Sequence, residues 1–267
     1  MAADPHPPVI LISIDTLRAD HLSAYGYRHI ATPNIDSIAS GGTLFTDIAC
    51  QTPLTLPSHN SLFTSTYPFQ NHIQENAEPV PPGTVTLASV LKSHGYKTAA
   101  FISSVFLERE MGLDQGFDTY DSPFHFEAFS PVSGEMFFGG PSNSHSVREQ
   151  RDGTLTLHAA VRWLAANGNQ PVFVFIHLFD LHTPYSVPEA VAQRKGVSRY
   201  DAQLLYEDEL IGKLKAIGRQ TSVVIAGNPE SAEELKAAGI ADFVHVRSNP
   251  IAVLTKWQPR LGIAVRE

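Results

Sequence analysis

Three side chains of the 267-residue chain, Asp15, Thr55 and His182, are of types that can carry out ester hydrolysis. Asp15 directly follows Val9–Ile14, a continuous apolar run with β-branched residues, which is typical of a strand covered on both faces. Ligands of open α/β sheets collect beyond the carboxyl ends of the strands, so Asp15 lies where chemistry is expected. It could be a hard oxygen ligand for a divalent cation or could only cap the next turn, and its position alone favours neither.

Thr55 precedes a helix that we expect to open at Ser58-His59-Asn60, after an entry that two prolines hold extended. Its hydroxyl could be a nucleophile activated by metal coordination. The free N–H groups at the start of the helix would then stabilise an anionic transition state. A lone threonine before a turn more often has only a structural role, and that alternative stays open.

His182 follows the third predicted strand, residues 171–179. Its imidazole could bind an anionic group or protonate a leaving oxygen, or it could only form a hydrogen bond within its loop. His177 lies inside the strand, so we expect it to be a core residue without a catalytic role. His59 and His72 are weaker candidates in loops, and the remaining histidines are expected at the surface.

Strands and helices alternate along the chain, which predicts an α/β fold with a mostly parallel sheet sandwiched by helices. Strands are predicted over residues 9–14, 97–102 and 171–179. Helices are predicted to start near Thr32 and Ser58 and to span residues 86–94, 151–166 and 200–217. Residues 117–147, rich in Phe, Ser, Gly and Pro, are predicted to form a long irregular surface excursion.

Composition narrows the class of protein. Hydrophobic residues make up 43% and charged residues 17%, which excludes disorder or a coiled coil as the main state. The formal net charge of −8 makes nucleic acid an unexpected partner. The single cysteine, Cys50, excludes an intrachain disulfide framework and a cysteine-rich zinc site. No apolar run is long enough to span a membrane, and the first residues lack the features of a signal peptide, so the chain as written is expected in the cytoplasm.

Six motifs together carry a family resemblance. They are Ile12-Ser13-Ile14-Asp15-Thr16-Leu17-Arg18-Ala19-Asp20-His21-Leu22, Thr32-Pro33-Asn34-Ile35-Asp36, the segment of residues 55–64, Gly95-Tyr96-Lys97-Thr98-Ala99-Ala100-Phe101, Gly112-Leu113-Asp114-Gln115-Gly116-Phe117-Asp118 and the segment of residues 177–185. In this order they resemble the sulfatase family of the alkaline phosphatase superfamily, over residues 8–218. The resemblance implies the fold of that superfamily and hydrolysis of sulfate or phosphate esters of small molecules or glycans. It also implies a divalent metal ion (calcium, magnesium, manganese or zinc), and family members are often exported.

The resemblance also implies roles for individual residues. Asp15 matches the first metal-ligand aspartate, whereas Thr16 stands where many sulfatases have a second one. Thr55 matches the nucleophile of the Cys/Ser-x-Pro-Ser-Arg motif, where sulfatases convert the cysteine or serine to formylglycine. A threonine there instead resembles the phosphodiesterases of the superfamily, with Asp15 and Thr55 as metal ligands. His59 replaces the arginine of the motif and is predicted to bind substrate. His182 matches a substrate-binding histidine of the family, and we predict that His182 is also catalytic.

The C-terminal segment departs from this pattern. Sulfatases have a strand ending in Asp-His or Asp-Asn that completes the metal site, and here Gly227 and Asn228 stand instead. Residues 221–267 resemble the end of a methylmalonyl-CoA mutase small subunit without its cobalamin-ligand motif, so no cobalamin is expected. The sequence thus predicts an incomplete sulfatase-like domain over residues 1–219 and a mutase-like β-α-β-α fragment over residues 220–267. The alternatives to an active hydrolase are a catalytically inactive truncated or fused chain and an interaction module formed by the tail.

Overall fold

A computed structural model describes residues 6–124, 150–185, 187 and 196–217. Its centre is a parallel sheet of four strands: β1 (Val9–Ile14), β2 (Lys97–Phe101), β3 (Thr119–Asp121) and β4 (Val172–Leu178), in the order β1-β4-β2-β3. The structure confirms the predicted α/β class and the three predicted strands. The prediction of irregular structure from residue 117 onward is wrong for the short edge strand β3.

Six α-helices are described: α1 (Pro33–Gly41), α2 (Thr55–Thr64), α3 (Pro68–Asn71), α4 (Leu87–Ser93), α5 (Gly153–Asn167) and α6 (Arg199–Ile217). Side-chain caps fix several of their starts. The Thr86 hydroxyl accepts a hydrogen bond from the Ser89 amide at α4, and Asp152 accepts one from the Thr154 amide at α5. Among the described residues, we find no helix with the length and apolar character that crossing a membrane requires.

Helix α2 starts at Thr55, three residues earlier than the sequence predicts. The first helical hydrogen bond runs from the Ser58 amide to the Leu54 carbonyl at 3.1 Å. Pro57 is compatible with this start because the N–H groups of the first helical turn have no partner within the helix, so its missing N–H costs nothing there. The prolines therefore accompany the start of the helix rather than delaying it.

The two faces of the sheet are covered by different helices. Successive side chains of a strand point to opposite faces. On one face, Phe175 of β4 packs in a buried cluster with Leu56 of α2. On the other face, Ile176 packs with Leu157 of α5 and Leu210 of α6. Burying each of these side chains contributes about 1.5–3 kcal/mol, so the paired cores hold the strand ends, and the polar residues that follow them, in place.

Several predictions fall on residues outside the described ranges. These are the mutase-like fragment over residues 220–267, the domain boundary at residue 219 and most of the excursion over residues 117–147.

Candidate functional site

The carboxyl end of β1 and the start of α2 bring Asp15 and Thr55 into contact. Thr55 Oγ1 donates a hydrogen bond to Asp15 Oδ2 at 3.0 Å. The Asp15 amide donates to the Leu178 carbonyl of β4 at 2.9 Å, which ties Asp15 to the sheet. The two residues that were predicted to share one site thus lie together, 40 positions apart in sequence, while their catalytic and metal-binding roles stay predictions.

The backbone turns sharply after Asp15. Thr16 has a φ of 55°, a left-handed conformation that β-branched residues rarely adopt. The Tyr200 hydroxyl of α6 donates to the Thr16 carbonyl at 2.9 Å and accepts from the Arg18 amide at 2.8 Å. Strain of this kind persists where the surroundings enforce it, and it is often found at functional sites.

The first turn of α2 offers an anion fewer amides than the sequence suggested. The Leu56 amide already donates to Asn76 Oδ1 at 2.9 Å. Pro57 has no N–H, and the Ser58 amide belongs to the helix. The Leu56 and Ser58 amides are therefore already used inside the protein, which weakens the predicted stabilisation of an anion by free amides of the helix start.

Asp15 is held as a carboxylate. Burial opposes its ionisation, but the nearby imidazole of His177, the charge of His59 and the hydrogen bond from Thr55 outweigh burial, and the pKa of Asp15 lies below its usual value. His177 Nε2 is 3.6 Å from Asp15 Oδ2. Asp15 therefore stays negatively charged near neutral pH and can accept a proton or a hydrogen bond.

His177 is a functional candidate that the sequence analysis set aside as a core residue. It does lie in the core strand β4 and is fully buried, yet it faces Asp15. A signal was present in the strand register, since His177 pairs with Ser13, two residues before Asp15 and on the same face of the sheet. Using that signal required knowing that β1 and β4 are neighbours.

His59 lies in the second turn of α2 and is 6% exposed. Its Nδ1 is 2.7 Å from the Thr55 carbonyl oxygen, and its Nε2 is 2.8 Å from Ser13 Oγ. Burial, reinforced by the charge of His177, lowers the pKa of His59 to about 4, so the ring is neutral at pH 7. Its predicted substrate-binding role stays a prediction, and both ring nitrogens already contact the protein.

His182 lies in the loop after β4. Its Nδ1 donates to the Thr183 carbonyl at 2.7 Å, and its ring stacks on Phe179 with the ring centroids 4.5 Å apart. The hydrogen bonds of the described residues do not link His182 to Asp15 or Thr55. Its catalytic and substrate-binding roles therefore stay predictions.

The described residues do not by themselves fit the divalent ion that the family resemblance implies. Asp15 and Thr55 offer oxygen ligands, but calcium takes about six to eight and magnesium about six, while catalytic zinc takes about three protein ligands. Across the described part of the chain, no group of three or more His, Cys, Asp or Glu side chains is placed to hold a metal.

A second polar cluster, which the sequence did not predict, lies behind the His182 loop. Asp180, Gln203 and Glu207 are buried between the end of β4 and α6. Asp180 Oδ1 accepts from the Gly153 amide at 3.1 Å. Burial, helped by the charge of Asp152, raises the pKa of Asp180 to about 6, and burial and the charge of Asp180 raise that of Glu207 well above its usual value. The signal was the spacing of four between Gln203 and Glu207, which places both on one helix face.

The amino-acid sequence matches one known protein family over most of its length. The family model described as Sulfatase matches residues 7–225. Delta 4,5-hexuronate-2-O-sulfatase of Bacteroides thetaiotaomicron is 27% identical over 203 residues, which are 73% of this chain and 38% of that protein. Arylsulfatase A of Bos taurus is 36% identical over 104 residues, which are 37% of this chain and 20% of that protein. The chain thus spans well under half the length of these curated relatives.

Solved structures show the same fold. The phosphonate monoester hydrolase of Agrobacterium radiobacter superposes with a TM-score of 0.66 at 18% identity, covering 97% of this chain and 74% of that chain. At this identity the likeness concerns the fold alone. The resemblance of residues 221–267 to a mutase subunit is not supported by these matches and stays a prediction.

Proposed function

Because the chain belongs to the sulfatase family, we propose that it hydrolyses sulfate or phosphate esters with Thr55 as the nucleophile. The observation that supports this proposal is the hydrogen bond of 3.0 Å from Thr55 Oγ1 to the Asp15 carboxylate. It lies at the carboxyl edge of a parallel sheet, where the ligands of such folds collect. Sulfated glycans and small sulfate or phosphate esters are the proposed substrates.

In the first step, Thr55 Oγ attacks the sulfur or phosphorus atom and its proton passes to Asp15. The bond from that atom to the leaving oxygen breaks, and His182, which binds the ester, gives the departing oxygen a proton. In the second step, water attacks the group on Thr55, His182 takes a proton from the water, and Asp15 returns its proton to Thr55. Sulfate or phosphate leaves, and each side chain regains its starting state.

Asp15 is suited to the proton-accepting role in one respect and limited in another. Its lowered pKa keeps it in the carboxylate form that can accept a proton. The same low proton affinity makes it a weak base, since general bases work best with a pKa near the working pH. A divalent ion bound by Asp15 and Thr55 would activate the Thr55 hydroxyl. This hypothesis is tested by measuring the turnover rate with added metal salts and with a chelator.

The test uses the purified full chain with para-nitrophenyl sulfate, para-nitrophenyl phosphate and bis-para-nitrophenyl phosphate, with calcium, magnesium, manganese or zinc salts added in turn. Turnover of at least one ester is expected, and Thr55→Ala should abolish it. Thr64→Ala, on the same helix, removes a hydroxyl that contacts the Asn60 carbonyl and the Thr66 hydroxyl, and it should retain activity. Turnover of none of these esters would favour the alternative of a catalytically inactive chain, and unchanged turnover in Thr55→Ala would remove Thr55 from its role.

A further inference from the structure

We infer that His59 is a positioning residue that holds Thr55 against Asp15 without touching the substrate. The catalytic consequence of this inference rests on the function proposed above, whereas its structural part does not. It replaces substrate binding, the role that the resemblance suggested for His59, with a role inside the protein.

Ser13, His59, Thr55 and Asp15 form a closed loop of contacts around the proposed nucleophile. Ser13 Oγ lies 2.8 Å from His59 Nε2, and His59 Nδ1 lies 2.7 Å from the Thr55 carbonyl oxygen. Thr55 Oγ1 reaches Asp15 Oδ2 at 3.0 Å, and Asp15 is two residues beyond Ser13 on β1. These contacts join β1 to α2 at two points and so restrain the Thr55 backbone and hydroxyl relative to the Asp15 carboxylate.

The chemistry of the two contacts fixes how the His59 ring is protonated. A carbonyl oxygen can only accept, so the Nδ1 atom that faces Thr55 must carry the hydrogen. In the neutral ring, Nε2 then has a lone pair and accepts the Ser13 hydroxyl hydrogen. Both nitrogens are thereby used inside the protein, and a substrate could bind either one only by breaking the contact to β1 or to Thr55.

Packing holds the plane of the ring. The His59 ring lies nearly perpendicular to His177, with centroids 4.9 Å apart, and 5.9 Å from Phe175. His177 in turn lies beside Asp15, with its Nε2 at 3.6 Å from Oδ2. A ring held at both nitrogens and packed beside two other rings is preorganised, which is the property that a positioning residue needs.

The structural part is tested by nitrogen-15 NMR of the histidine side chains in the full chain. His59 should give the pattern of a neutral ring protonated on Nδ1, and Ser13→Ala should shift its Nε2 resonance while leaving exposed His158 unchanged. A ring protonated on Nε2, or one that Ser13→Ala does not affect, would overturn the inference whether or not the chain is active.

The catalytic part is tested by kinetics. Misplacing a reacting group by about 1 Å costs up to about a hundredfold in rate, so Ser13→Ala and His59→Ala should lower kcat by roughly tenfold to a hundredfold with KM nearly constant. His59→Asn, whose amide can still reach the Thr55 carbonyl, should recover part of the loss, and His158→Asn is the matched control. A raised KM with kcat unchanged would mean that His59 binds substrate. If the unmodified chain turns over none of the esters, the proposed function fails, and the NMR result alone decides the structural part.

Discussion

Replacing Asp180 by asparagine is expected to stabilise the folded chain at about pH 8 but not at about pH 4. Asp180 and Glu207 are buried carboxyl groups, and burial is the main reason that their pKa values are raised. Asparagine keeps an oxygen that can accept from the Gly153 amide. The substitution therefore retains the shape of the protonated aspartic acid and removes its ionisation.

The sign and size follow from proton linkage. The folded chain holds the Asp180 proton more tightly than the unfolded chain does, so the contribution of Asp180 to stability falls as the pH rises from about 4 to about 6. The difference between a pKa of 3.8 and one of about 6 corresponds to about 3 kcal/mol. That penalty is absent below about pH 4 and complete above about pH 6. Asp180→Asn should thus gain up to about 3 kcal/mol of unfolding free energy at about pH 8.

Urea unfolding of the full-length protein, followed by fluorescence at about pH 4 and about pH 8, measures this gain. Glu209→Gln is the matched control, because Glu209 lies on the same helix and is exposed. Its effect should be small and equal at both pH values. An Asp180→Asn effect that is the same at both pH values, or a loss of stability at about pH 8, would refute the reasoning from burial.

Three further substitutions test the packing, each by the change in unfolding free energy. Gly116→Ala should cost more than about 1 kcal/mol, because a Cβ would lie 2.2 Å from a backbone nitrogen of α4. Gly83→Ala, with a similar φ but open space, should cost less, and equal costs would exclude the clash as the cause. Thr86→Ala should lower the unfolding free energy by about 1 kcal/mol through loss of the α4 cap. An unchanged unfolding free energy would mean that packing alone holds the helix. Phe175→Ala should cost about 3–5 kcal/mol and exposed Phe69→Ala far less; similar values would contradict the assigned core.

The sequence predicted those parts of the fold that depend on local pattern. β1 and β4 are continuous apolar runs, and the helix at Leu87–Ser93 lies between a threonine cap and a glycine, so their positions follow from the sequence itself. The sequence predicts the start of α2 three residues too late because prolines favour extended backbone before them, although the first helical turn accepts proline. β3 is three residues long and gains its partners only from β2, so no local pattern marks it.

The site was predicted in part for the same reason. Asp15 directly follows β1 and Thr55 begins α2, and the family motifs include both residues. The approach of His177 to Asp15 depends on β1 lying beside β4, and the electrostatic effect of Asp180 on Glu207 depends on α6 packing near the end of β4. Both interactions join residues distant in sequence, which spacing within a single element does not encode.

The nucleophilic role of Thr55 is tested most directly by rapid-quench mass spectrometry of the peptide that carries it during turnover of an ester. A transient increase equal to one sulfuryl or phosphoryl group, located on Thr55 by fragmentation and lost in Thr55→Ala, is the predicted result. Steady turnover by a chain whose Thr55 peptide stays unmodified at every quench time, together with an active Thr55→Ala variant, would contradict the proposed role.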